Sequence, residues 1–142
     1  MVVRREAIDR VGRLDESFFF FFEETDWCLS MKKNGWQVYS HPQARIYHLR
    51  GETARKNNTA ARIEYWKSRY TFFRKHYSEV ILAILATGLI AKLIVSLLMQ
   101  LIACPFSKGA RTRLGVNARL LLWHLLGCPA GWGLATRTDN GQ

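Results

Sequence analysis

The sequence predicts an α/β segment at the front of the chain, followed by a helical tail that associates with a membrane. Three observations carry that expectation. The charge is split: residues 1–56 hold ten Lys/Arg against eight Asp/Glu, whereas residues 57–142 hold eleven against three, for a formal net charge of +10. The front alternates short amphipathic helical stripes with short apolar or aromatic runs, a mixed helix and strand pattern. The back contains an apolar run from Val80 to Cys104 that carries a single charge, Lys92.

Composition bounds the rest. A chain of 142 residues accommodates one ordinary domain, or a small domain with a membrane segment. Apolar residues at 49% and aromatics at 13% exclude a chain disordered by composition. Three cysteines are too few, and odd in number, for a disulfide scaffold. Cys28, Cys104 and Cys128 also lack metal-ligand spacing and read as small apolar residues. Residues 1–5 are basic but lead into no apolar stretch, so a cleavable secretory signal is not expected.

Along the front, residues 4–11 form a short helix with an Ala7, Ile8, Val11 stripe, and Gly12 suits the position past its end. Phe18 to Phe22, aromatic without alternation, read as a buried extended segment. The next helix is marked by charge: Glu23, Glu24 and Asp26 crowd its first turn, Lys32 and Lys33 its last, and Gly35 follows. That order complements the helix dipole. Trp36–Ser40 alternates and reads as a strand closed by Pro42, and Ala44–Leu49 as a second strand ended at Gly51. The polar stretch 52–59 reads as a linker.

Along the back, Ile63, Trp66, Tyr70, Phe73 and Tyr77 recur at helical spacing among Arg62, Lys67, Arg69, Arg74 and Lys75. This is a basic, aromatic-rich amphipathic helix. The Val80–Cys104 run follows, and a last apolar helix, Ala118 to Leu126, precedes a Gly- and Pro-containing tail. Nucleic-acid binding would use the charge and aromatics, but no nucleic-acid motif accompanies them, and none is expected as a partner. A buried core helix is disfavoured because so short a chain has little material to cover it. A membrane accounts for the apolar run and its basic flanks together.

The string from Val2 to Gly51 resembles the C-terminal half of the catalytic domain of family-2 glycosyltransferases, especially the rhamnosyltransferase-like branch. The motifs that carry the resemblance are Val3–Val11, Gly12–Phe18, Glu23–Asp26, Gly35–Tyr39 and Arg45–His48, in that order. The resemblance implies the C-terminal half of an A-type fold, with inverting transfer from a nucleotide-sugar to a hydroxyl acceptor, a lipid-linked or surface glycan. The acceptor hydroxyl then needs a base, and the departing diphosphate needs a cation. By the resemblance the base falls on Glu24. Glu23 and Asp26 orient the acceptor or brace the helix start, Trp27 forms part of the acceptor-side wall, and His48 ligates the metal or holds the diphosphate. From position alone, the three acids also serve as ordinary dipole complements, and His48 as a structural strand end.

The family's Asp-x-Asp, which holds Mn²⁺ or Mg²⁺ and the diphosphate, occurs nowhere in this sequence. The chain is therefore expected to be a piece of a longer enzyme, inactive alone and with no tightly bound metal of its own. The expected division is residues 1–56 from the catalytic domain, 57–78 the basic amphipathic helix, 79–105 the apolar helix, and 106–142 a short helix and tail. The expected location is the cytoplasmic face of the cell membrane. The other function class is a small non-catalytic membrane-binding protein.

Overall fold

The structure, a computed structural model, describes residues 1–45, 47 and 58–134. Five helices follow one another: α1 (Arg5–Val11), α2 (Glu23–Lys33), α3 (Asn58–His76), α4 (Glu79–Ala103) and α5 (Lys108–Leu125), with a final 3₁₀ turn at Ala130–Trp132.

The expected α/β class is overturned: among the described residues there is no strand. The phenylalanine run is not extended. Phe21 and Phe22 both take φ +69°, reversing the chain just before α2. Trp36–Ser40 makes no ladder with any of the described residues. The Trp36 N–H turns back to Met31 O at 3.0 Å, and Tyr39 is 82% exposed. Strand propensity is realised only on a surface that supplies a partner. Of the second expected strand, the Ala44 N–H closes a turn on His41 O at 3.1 Å, whereas residues 46 and 48–49 lie outside the described set.

The core forms where α3, α4 and α5 meet. Ile63 and Tyr70 from α3, Leu89 and Leu93 from α4, and Leu120 and Trp123 from α5 are buried together. Trp123 is fully buried, and its indole N–H donates to Pro129 O at 3.0 Å, so the large ring leaves no orphan donor. α5 starts ten residues earlier than its apolar pattern suggests. The Ser107 Oγ caps it by accepting from Ala110 N at 3.3 Å, and Ala110 and Asn117 extend its buried stripe.

α4 presents one face to this core and leaves the other bare. Val80, Ile84, Val95, Leu98 and Ile102 are exposed, and Lys92 lies on the exposed side with them. Only 11% of the most apolar 18-residue window is buried, in the one described helix long and apolar enough to cross a membrane.

α1 and α2 pack through Ala7 and Met31, both buried. This front unit docks on α3 through aromatic rings: Phe22 lies 5.4 Å from Phe72, and Phe21 and Phe22 each lie 5.5 Å from Tyr65. The Ser68 Oγ donates to Phe20 O at 2.6 Å beside them.

Candidate functional site

The first five residues of α2 include four of the five residues singled out in the sequence and give them different tasks. Left-handed Phe22 sets the helix start, and its carbonyl accepts the first intrahelical bond from Asp26 N at 2.8 Å. Asp26 points inward, is 3% exposed, and is held on both oxygens. Lys75 Nζ donates to Oδ2 at 2.8 Å and His76 Nε2 to Oδ1 at 2.6 Å. A buried carboxylate persists only with such partners.

Glu24 points the other way. It is exposed, with no hydrogen bond or ion pair among the described residues. Glu23 lies between the two: half-buried, with Oε2 shielded from solvent and unbonded among the described residues. The Trp27 indole N–H donates to Gly12 O at 2.9 Å, tying α2 to the end of α1 while the ring stays half-exposed. His48 lies outside the described residues.

Lys75 joins a second acid to this site. It donates to Asp15 Oδ2 at 2.6 Å, and its ammonium sits 5.9 Å from the Phe18 ring. The hydrogen bond from Lys75, helped by the backbone N–H and side chain of Ser17, lowers the Asp15 pKa to about 2. Burial works against the Lys75 ammonium, but its hydrogen bonds to Asp15 and Asp26 prevail and hold its pKa above the usual lysine value. On the far side of His76, Nδ1 meets Lys33 Nζ at 2.8 Å. The sequence pattern places Lys75 among the basic residues of an amphipathic, membrane-facing helix and does not single out His76. The available signal was a basic last turn, Arg74-Lys75-His76, of opposite sign to the acidic first turn of α2.

Two cavities flank these elements, and neither is lined by Glu23, Glu24, Asp26 or Trp27. One, of about 540 Å³, lies against Met1, Ala7, Cys28, Met31 and Trp36. The other, of about 620 Å³, is bordered by Glu64, Lys67, Tyr70, Arg74, Trp123 and Cys128. Behind this second cavity the Tyr70 hydroxyl meets His124 Nε2 at 2.9 Å, and His124 Nδ1 meets Leu120 O at 2.7 Å. A carbonyl only accepts, so Nδ1 carries the proton and Nε2 accepts from the tyrosine.

The described residues do not form a metal site. Among them, no three His, Cys, Asp or Glu side chains converge to hold a cation. The one buried acid of the motif, Asp26, already answers an ammonium and an imidazole.

Over 78 residues, 55% of its length, the chain is 28% identical to the N-acetylglucosaminyl-diphospho-decaprenol L-rhamnosyltransferase of Mycobacterium tuberculosis strain CDC 1551 / Oshkosh. The enzyme of that name from strain ATCC 25618 / H37Rv matches to the same extent. The matched stretch spans about a quarter of the length of these curated relatives. No family model and no solved structure matches the chain. The chain thus has a glycosyltransferase-like relationship across just over half its length.

Proposed function

We propose that this chain carries the acceptor-side part of a membrane-associated glycosyltransferase. The reaction is inverting transfer of a sugar from a nucleotide-sugar to a hydroxyl acceptor. The observation that carries the reading is the likeness to the rhamnosyltransferases, which are named for action on a lipid-linked sugar diphosphate. The acidic turn of α2 supplies a consistent chemistry. Glu24, exposed and unpaired among the described residues, is the base that takes the acceptor proton. Asp26, locked to α3, braces the turn; Glu23 and Trp27 face the acceptor side. His48 belongs to the diphosphate side in this reading, on the resemblance alone. Donor binding, with its Mn²⁺ or Mg²⁺, needs a half that these residues do not contain.

Membrane association is supported by α4. Its 25 residues extend about 37 Å at helical rise, enough for a hydrocarbon core of about 30 Å. Its apolar side has no cover among the described residues, and basic residues flank it. Lipid is the partner that fits, with the basic flanks on the anionic cytoplasmic leaflet.

The test is a chimera in which this chain replaces the matching stretch of the mycobacterial rhamnosyltransferase. Transfer activity is expected, and Glu24→Gln should lower kcat by about 10²–10⁴-fold with little change in donor KM. Unchanged kcat in Glu24→Gln, or metal-dependent nucleotide release by the 142-residue chain alone, overturns the assignment. A folded but inactive chimera beside a vesicle-binding chain favours the non-catalytic membrane protein.

A further inference from the structure

The cavity of about 620 Å³ between α3, the loop before α2 and the turn after α5 stands apart from the acidic turn and carries the opposite charge. Lys67, Thr71 and Arg74 occupy positions i, i+4 and i+7 of α3, so one face of that helix brings all three to the cavity wall. The far wall is shaped by Gly127 and Cys128, at φ +77° and +60°, which turn the chain back after α5. Left-handed backbone is uncommon for a residue with a side chain. The reversal brings Ala130 O to 2.6 Å from Lys67 Nζ.

The donors are not used up by the fold. An ammonium has three, and Lys67 commits one to Ala130. Arg74 is exposed, with no hydrogen bond or ion pair among the described residues, and the Thr71 hydroxyl has no hydrogen bond among them either. Two cations face one carboxylate, Glu64, an excess of one positive charge. That carboxylate is 4% exposed and already accepts from Leu134 N at 2.9 Å, with Lys67 Nζ 3.6 Å away. Tyr70 and Cys128 add no negative charge near neutral pH, because burial raises both pKa values, that of Tyr70 to about 12.

We propose that this cavity binds a diphosphate ester, with Arg74 and Lys67 on its phosphoryl oxygens, Thr71 between them and the organic substituent against Phe19. Seven residues of α3 separate the two cations by about 10 Å along the axis, which suits two linked phosphoryl groups better than a single phosphate. Guanidinium and ammonium groups form strong charge-assisted bonds to phosphoryl oxygens. Phe19, 50% exposed, offers a bare aromatic face at the cavity. A free diphosphate and a lipid-borne one share this chemistry. Arg74 lies five residues before Glu79, the first residue of α4, so the site sits beside the start of the apolar helix, where headgroups lie when α4 rests in lipid. The preference for a lipid-borne ester rests on the membrane reading; the diphosphate site rests on the cavity alone.

The test is calorimetric titration of the 142-residue chain with pyrophosphate in detergent and with farnesyl diphosphate in phosphatidylcholine nanodiscs, with no sugar donor present. Both diphosphates should bind, and inorganic phosphate more weakly. Arg74→Gln and Lys67→Gln should each raise Kd by about tenfold, the worth of one hydrogen bond to a charged group. Arg119→Gln, an equal loss of charge on the exposed side of α5, should leave Kd unchanged. With Cys28 and Cys104 replaced by serine, either diphosphate should slow alkylation of Cys128, which lines the cavity. Tighter binding of the farnesyl ester identifies a lipid-borne ligand and equal binding a soluble one; both support the site. Binding of neither diphosphate, an equal loss in Arg119→Gln, or unchanged Cys128 alkylation overturns it. Lys67→Gln also loses the bond to Ala130, so the exposed Arg74→Gln decides the matter if that variant fails to fold. An inactive chimera would leave all of these readouts unchanged, so failure of the catalytic reading is seen separately.

Discussion

Asp15 and Tyr70 show how single side chains translate into pH dependence. The folded Asp15 pKa is about 2 against an ordinary 3.8, so this carboxylate contributes stability that is present above about pH 4 and lost as pH falls through 2. Asp15 is a third exposed, which keeps the contribution modest. Lys75→Met should flatten acid unfolding between pH 4 and 2, followed by circular dichroism, while leaving Asp26 buried and short of a cation. Tyr70 behaves in the opposite sense. Burial, the larger cause, and the charge of Cys128 push its pKa up to about 12 from 10.0, so stability falls as pH rises from 10 towards 12. Tyrosinate absorbance should show one late-titrating group that disappears in Tyr70→Phe. Burial also lowers the His124 pKa, keeping that ring neutral as the acceptor of the Tyr70 hydroxyl. The sequence exposed Glu24 and Asp26 as a pair of acids but not their opposite fates. Which acid turns inward depends on Lys75 and His76, about fifty positions away, where no periodicity reports the contact.

At the level of elements, α1, α2, α3 and α4 were legible because each carries its own signal: an apolar stripe, a charge gradient along the dipole, or an unbroken apolar run. The Trp36–Ser40 strand was misread because Trp36-Gln-Val-Tyr alternates as a strand does, whereas a ladder also needs a neighbour that the sequence does not announce. The first half of α5 was missed for the converse reason. Lys108–Asn117 is basic, carries two glycines and looks unhelical, yet packing against α4 carries it. The core helices meet at Trp123, so Trp123→Ala should cost about 3–5 kcal/mol in chemical denaturation. A smaller element closes the structure: the Leu134 N–H donates to Glu64 at 2.9 Å, and Lys67 donates to Ala130 O at 2.6 Å. A Cβ on Gly133 would collide with the Glu64 carboxylate, so Gly133→Ala should lower the melting temperature by displacing that buried acceptor.

For the molecule as a whole, the bare side of α4 and its basic flanks define one expected placement. Lys92, on the exposed side near mid-helix, costs about 2.5–3.5 kcal/mol at a bilayer centre but little where its stem reaches the headgroups. Helix α4 should therefore lie in the cytoplasmic leaflet with both ends on one side. Cysteines placed at Ser78 and Ser107, in a chain cleared of its three native thiols, should resist an impermeant reagent on intact cells and react after lysis. Labelling of one site from outside shows that the helix crosses instead.

The bond from Arg62 Nη1 to Asn117 Oδ1, 2.9 Å long and linking α3 to α5, sets a further condition on this arrangement. Apolar helices in contact slide readily, because leucine against leucine costs the same one turn along. Asn117 is 7% exposed, and a slip of one turn would strand its amide without a partner in apolar surroundings. The asparagine thus acts as an index mark, giving up some binding energy so that only one alignment is acceptable. Replacing it with leucine should raise thermal stability yet let disulfide cross-links form at more than one offset between α3 and α5.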